Sequence, residues 1–263
     1  MGLPSFILPI MGKSNLDPNA QAFITAANIT NATQRSAINT LVKDLKTAGI
    51  WSKCTAIYPF VGGNSTAHSF NLVNTALYQI TFVGTVTHSA NGIQGNGING
   101  YANTNLLGNV LLQDNNHLSV YSRTTGTNAN YDVGTAVSGT RVLGFRAATG
   151  GPPVFIEAYN NNLTLTTAFN TVSTGLQLWQ RTASNASAYY RGDGGLVSSN
   201  SAASNGTCAF NIFIGSVNVS GSPSGYNNRN YAFSSFGQSL TSGELASFYT
   251  IVQAYQTTLG RQV

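Results

Sequence analysis

Charge is what this sequence has least of. Only 7% of its 263 residues are charged, seven acids against twelve bases, where a globular domain usually carries about 25%. A surface so poor in ions has to be solvated by amides and hydroxyls. The net charge of +5 comes from basic residues that stand singly among polar ones, Arg123, Arg141, Arg146, Arg181, Arg191 and Arg229, without the clustered stripe that a nucleic acid requires. No nucleic-acid partner is expected. Cysteine is nearly absent: Cys54 and Cys208 lie far apart in apolar or strand-like settings, which suits buried free thiols and leaves their pairing open. There is no C-x-x-C, and His68, His88 and His117 share no ligand spacing, so neither a metal site nor a cofactor is expected. The three imidazoles sit in polar or turn-like contexts and are expected at the surface. Long apolar runs are missing as well. FILPIMG, from Phe6, is too short to span a bilayer, is interrupted by Pro9 and has no basic stretch before it, so neither a membrane span nor a signal peptide is supported.

What is abundant is glycine, with 28 residues, alongside asparagine, serine and threonine. Hydrophobic residues at 42% are enough for a real core, and the length suits one large all-β domain. GNGING at 95–100 fits the G-x-G-x-x-G template of a dinucleotide loop, which works only between a strand and a helix whose N-terminus holds the pyrophosphate. The alternating LYQITFVGTVTH at 77–88 supplies a strand. Downstream, Asn103, Asn105, Gly108 and Asn109 occupy the helix interior and are poor helix residues. The sequence therefore predicts turns, with Gly92, Gly95, Gly97 and Gly100 at positive φ and Asn91, Asn96 and Asn99 tolerating the same region.

Helices are predicted only near the two ends. From Asn31 to Ala48 the apolar Ile38, Leu41, Val42 and Leu45 repeat with helical period, and Gly49 follows as a stop. At the other end Thr241 and Glu244 stand in capping-box register before the stripe Leu245, Phe248, Tyr249, Val252 and Leu259, with Gly260 as the stop. Trp51, just after the first helix, is expected in the core. Between them, short runs at 117–123, 140–147, 153–159, 176–182, 187–192, 208–217 and 230–237 are separated by Gly, Asn and Ser clusters, the pattern of two packed antiparallel sheets. Residues 1–20 read as an extended arm, with Pro4, Pro9 and Pro18 keeping it out of a helix, and 21–263 as the sandwich with its flanking helices. The apolar Phe6, Ile7, Leu8, Ile10 and Met11 would make that arm an assembly element docking on a neighbouring subunit, or else packing on its own domain.

The stretches AINTLVKDLKTAGIWSKCTAIYPFVGG, THSANGIQGNGINGYANT, SVYSRT and NIFIGSVNVSG, with YAFSSFGQSLTSGELASFYTIVQAYQTTLGRQV closing the chain, resemble the concanavalin A-like lectin/glucanase sandwich of virion proteins in tailed bacteriophages, crAss-like phages among them. The resemblance runs from about Ala37 to Val263. It implies a mainly β, jelly-roll sandwich with a helix near each end. It also implies a place on the virion, as a capsid decoration, head fibre or tail protein acting in assembly and surface display. The expected partners are other virion proteins, reached through the N-terminal arm, and further copies of the chain, a trimer favoured.

Enzymes share this fold, and retaining glycoside hydrolases need two carboxylates about 5 Å apart. The acids here, Asp17, Asp44, Asp114, Asp132, Glu157, Asp193 and Glu244, are never within four positions of one another, and there is no G-x-S-x-G elbow. No catalytic residue is therefore assigned and the chain is expected not to be an enzyme, with a hydrolase whose acids meet through the fold as a remote alternative. Lectin-type metal sites need clustered acids, and Asp132 and Asp193 stand alone. A host glycan bound without metal would need aromatic faces beside amides, for which Tyr101, Tyr131, Trp179, Tyr189, Tyr190 and Tyr226 are the candidates. RGD at 191–193 is read as a hairpin turn.

Overall fold

The computed structural model describes residues 16–125, 130–147, 156–158, 173–191 and 195–263. The chain opens with α1 (Pro18–Ala26) and α2 (Ala32–Thr47), followed by β1 (Cys54–Tyr58), a short α3 (Ser65–Ser69), β2 (Thr81–Val83), β3 (Val86–Ser89), β4 (Gly92–Gly95) and β5 (Tyr101–Leu107). The middle holds β6 (Asn116–Ser122), β7 (Val133–Val137), β8 (Arg141–Phe145), β9 (Ile156–Ala158), β10 (Gly175–Ala183), β11 (Ala186–Arg191) and β12 (Gly195–Asn200). It closes with β13 (Asn211–Ile214), β14 (Val217–Val219), β15 (Ser222–Ser224), β16 (Asn230–Gly237) and α4 (Ser242–Thr258). The strands form two sheets: β12-β11-β10-β6-β16-β4-β3 with β1 beside β16, and β15-β14-β7-β13-β5-β2 with β8 and β9 continuing from β7. The protein is thus the mainly β, two-sheet sandwich that its strand pattern predicts, jelly-roll-like as the resemblance implies.

The layers follow from which faces are apolar. Leu118, Val120, Trp179 and Phe236 of the first sheet meet Leu106, Val133, Leu143 and Ile212 of the second in one core. The opposite face of the first sheet carries Ile57, Tyr121, Leu176 and Phe233, which pack under α1, α2 and α4 in another. The first sheet is therefore covered on both sides. The second is covered on one, and its outer face is where side chains can meet solvent.

The two predicted helices form for the predicted reasons. The Asn31 side chain caps α2 by accepting from Gln34 N–H at 3.0 Å, and the helix ends where Gly49, at φ +73°, lets Ile50 N–H reach back to Leu45 O at 2.9 Å. In α4 the capping box of Thr241 and Glu244 is fully made. Pro18 departs from expectation: it occupies the first turn of α1, with the Asp17 side chain accepting from Asn19 N–H, since proline's missing donor costs nothing there. The run 77–88 is two strands. Gly84 turns the chain at φ +67°, where a Cβ would lie 2.1 Å from Asn99 O, and hands it from β2 in the second sheet to β3 in the first.

GNGING likewise links two strands, β4 and β5, with no helix after it. Gly92 and Gly97 do take positive φ, but Gly95 and Gly100 do not; a Cβ on Gly100 would lie 2.0 Å from Thr85 O. Nor do the three asparagines take that region. Asn96 instead accepts from the N–H groups of Ile98, Asn99 and Gly100 through its Oδ1.

Cys54 and Cys208 are free and buried. The histidines are not surface groups as expected: His68 and His117 are buried, and His88 is half-buried with its Nδ1 3.0 Å from His68 Nδ1. Trp51 is half-buried at the rim of the helical core rather than inside it. Phe6 to Met11 lie outside the described residues. Among the described residues no helix is long and apolar enough to cross a membrane.

Candidate functional site

Tyr101 opens β5. Alternation along that strand buries Ala102, Thr104 and Leu106 and turns Tyr101, Asn103 and Asn105 to the outer face. The register continues that face across the sheet: Thr81 pairs with Asn103 and Val83 with Tyr101, Asn103 pairs with Phe213, and Phe213 with Gly134. Phe213 is buried, and Tyr101 lies against it, the ring centroids 4.5 Å apart. Tyr226 approaches Tyr101 from the other side at 6.1 Å. Polar groups frame these rings. Asn105 donates from Nδ2 to Gln79 O at 2.7 Å and Thr81 Oγ1 at 3.0 Å. Burial, with Tyr226 beside it, raises the Tyr101 phenol above its ordinary range, so the ring stays neutral at physiological pH.

Tyr131 lies next to Gly225, where a Cβ would meet its ring at 3.5 Å. Its ring carries the Arg146 guanidinium 5.7 Å from the centroid, and the Asn130 side chain donates to Tyr226 O. Beneath these tyrosines lies a buried polar node. Asp132 accepts from Arg229 Nη1 through both oxygens, at 2.7 and 2.6 Å, from Tyr231 Oη at 2.7 Å, and from Ala147 N–H at 2.6 Å. Neither partner of the ion pair is exposed to solvent. Burial opposes the guanidinium charge, but the Asp132 carboxylate outweighs it and holds Arg229 above its ordinary value. The node ties the loop bearing Tyr226 to the strand entered through Tyr131, so the rings are held by a rigid base.

The six tyrosine and tryptophan candidates therefore divide. Tyr101 and Tyr226 come together on the outer face, and Tyr131 lies next to Gly225 at the foot of the Tyr226 loop. Trp179 and Tyr189 are fully buried between the sheets and present no ring to a ligand. Tyr190 packs against the helical core, away from the patch. Phe213, buried against Tyr101, backs the platform, and Asn103 lies beside it in register; neither is singled out from the sequence, although the apolar Ile212 and Ile214 around Phe213 already require it to face the other way.

The acids are placed with equal clarity. Asp17 pairs with Lys46 at 2.7 Å and Glu244 with Lys53 at 2.6 Å, Asp132 is held as described, and Asp114 accepts from Ser204 Oγ. Glu157 lies on β9, its backbone paired with Gly144. No group of three or more His, Cys, Asp or Glu able to hold a metal occurs among the described residues. β11 and β12 pair antiparallel on either side of RGD, Arg191 with Gly195; Gly192 and Asp193, where the turn is expected, lie outside the described residues.

No protein-family model and no curated relative matches the sequence. Among solved structures the fold is similar to a Trypanosoma rangeli sialidase mutant displaying trans-sialidase activity, at 13% identity and TM-score 0.53 over 84% of this chain and 39% of that one. It is similar to T. rangeli sialidase in complex with sialic acid, at 12% identity and TM-score 0.52 over 81% of this chain and 38% of that one. Domain 4 of AbnA, a GH43 extracellular arabinanase from Geobacillus stearothermophilus, in complex with arabinotriose, aligns at 15% identity and TM-score 0.48, over 74% of this chain and 98% of that one. The chain spans about two fifths of the length of the sialidases it matches. The sialidase likenesses fit the two-sheet β-sandwich that the resemblance implies. They also overturn the expectation that the chain is not an enzyme, because the fold is shared with sialidases and so gives no ground for excluding one. The virion part of the resemblance has no counterpart among them.

Proposed function

We propose that this chain is a carbohydrate-binding β-sandwich module whose binding face is the outer side of the second sheet. The observation that carries the reading is the half-exposed pair Tyr101 and Tyr226, backed by the buried Phe213, on the open face of a fold found in carbohydrate-active proteins. Sugar rings offer C–H faces that stack on aromatic rings, and hydroxyls that amides such as Asn103 and Asn105 can satisfy. The buried Asp132–Arg229 pair supports the reading because it fixes the tyrosines without placing a charge among them. The sequence resemblance suggests the setting, a phage particle on which copies of the chain present this face to host-surface glycans.

The test is an array of neutral and acidic oligosaccharides probed with the full-length chain, followed by titration of any hit against Tyr101→Ala and Tyr226→Ala. Each substitution is expected to weaken binding by about tenfold or more, the order of one lost aromatic contact. An array with no hits, or hits indifferent to both substitutions, removes the reading.

Hydrolysis is the second reading, favoured by the fold likeness and by the backbone register. β9 carries Glu157 into the cross-strand row Phe213, Gly134, Gly144 that starts at the platform. Release of reducing sugar from an array hit, lost in Glu157→Gln, would support it; an intact oligosaccharide after prolonged incubation would leave binding alone.

A further inference from the structure

The open face of the second sheet does not end at β2. Gln79, Thr81 and Val83 are exposed along it, and alternation turns Ile80 and Phe82 the other way, where both pack at the margin of the inter-sheet core. On that flank, between β2 and α3, lies a pocket of about 480 Å³. Ser65, Thr66 and Ser69 of α3 line it with Phe70, and Gln79 and Phe82 face them across it. Its volume is that of a small-molecule site. Ile80 N–H donates to Ser69 O at 2.8 Å, which ties the two walls together.

Gln79 belongs to both surfaces. Its carbonyl accepts from Asn105 Nδ2 at 2.7 Å on the platform side, and its side chain, donating to Thr75 O at 2.8 Å, lines the pocket. From Tyr101 to Asn105 the strand covers about 13 Å at roughly 3.3 Å per residue, so a ligand touching both places has to be a chain of sugars. The far end is preformed as the near end is. Phe82 meets His88 edge-on, the centroids 4.4 Å apart, and His88 is bonded in turn to the buried His68. Nothing along this path is charged: not the pocket lining, and not Tyr101, Asn103 or Thr81 between it and the platform. Arg146 stacks on Tyr131, which leads into β7, beyond β13 from β5 and β2. The buried Asp132–Arg229 pair neutralises itself. A carboxylate on the ligand would lose water along this path and gain no cation in return.

Resting on the carbohydrate-binding reading, we propose that the ligand is an uncharged, linear oligosaccharide that runs from the Tyr101–Tyr226 platform along β2 and seats a further sugar in the α3–β2 pocket. There Phe70 and Phe82 offer apolar surface to a sugar's C–H face, and the hydroxyls of Ser65 and Thr66 meet its own. The platform alone serves a short sugar; the pocket selects for length and against charge.

The test is calorimetric titration of the full-length chain with linear gluco-, manno- and arabino-oligosaccharides, from monosaccharide to hexasaccharide, beside sialylated and uronic-acid chains of the same lengths. Two variants separate the ends of the path. Tyr101→Ala reports on the platform, and Thr66→Arg, at an exposed position of α3, fills the pocket without removing a core contact; its urea midpoint is expected to match the parent's. Affinity for one neutral series should rise about tenfold or more once the chain is long enough to reach the pocket, since the second contact is then made within the complex. Thr66→Arg should abolish that rise and leave the shorter chains bound as before, Tyr101→Ala should weaken every length, and the acidic chains should bind about tenfold more weakly or not at all. Affinity that is independent of length and lost in Tyr101→Ala overturns this proposal and leaves the platform reading standing. Acidic chains bound as tightly as neutral ones overturn the assigned class. Long-chain binding lost in Thr66→Arg but untouched in Tyr101→Ala overturns the platform reading and with it the span, and no binding at any length overturns both.

Discussion

Asp132 and Arg229 show how a chain with few charges uses them. The pair is wholly enclosed, and an enclosed charge without its partner is costly, so Asp132→Ala is expected to lower stability by about 3–5 kcal/mol. Urea unfolding checks this, and the same variant should weaken glycan binding because the tyrosine-bearing loop loses its anchor. Histidine gives a second prediction at this scale. His117 Nδ1 donates to the Gln238 carbonyl at 2.6 Å, and with the ring kept neutral by its burial Nε2 accepts from Ser235 Oγ at 2.9 Å. Burial, with Lys53 nearby, lowers its pKa to about 4; burial, then His88 and Arg261, lowers His68 to about 3. Both values are below the ordinary 6.5, so as pH falls below about 6.5 the unfolded chain takes up protons that the folded chain refuses. Their contribution is complete above that value and is lost progressively down to about pH 3–4. The urea midpoint should fall across this window, and less steeply in His117→Asn. The sequence places these histidines in polar company, which gave no sign that the first sheet would be roofed by helices.

At the scale of elements, what was legible is what local chemistry determines. The capping box of α4 and the glycine stop of α2 are readable because each is a contact within a few residues. Glu244→Ala removes both its bond to Thr241 N–H at 2.7 Å and its pair with Lys53. It is expected to cost about 1–2 kcal/mol by thermal or chemical unfolding. Elements set by distant partners were not legible. β5 carries two asparagines and glycine follows it, yet it is a strand because β2 and β13 flank it. Asn105 there takes φ 55°, a kink that no propensity announces. Gly100 makes the same point from the other side. Its need for a bare backbone comes from Thr85 O, fifteen residues away in the chain, and Gly100→Ala should therefore destabilise more than Gly139→Ala, where φ is +69° but the space is open. A strained positive φ costs roughly 1–2 kcal/mol, whereas a Cβ placed 2.0 Å from a carbonyl oxygen has to move two strands. Comparative urea midpoints rank the two.

For the whole molecule, the decisive fact is that the first sheet is covered on both faces and the second on one. β6 and β16 are buried at every position, so their serines, histidine and aromatics could not be sorted by alternation into core and surface. That is why Trp179 and Tyr189 read like Tyr101 in the sequence: each is an aromatic in a polar strand, and only the layer order separates them. The distinction is measurable. Trp179→Ala empties a fully buried site and should lower stability by about 3–5 kcal/mol, with glycan binding failing only as the fold fails. Tyr101→Ala removes a half-exposed ring from the open face and should shift the midpoint far less while removing binding from the folded chain. If instead the two substitutions cost similar stability and binding follows stability in both, the outer face is merely the outside of a core, and the ligand must be sought elsewhere on the sandwich.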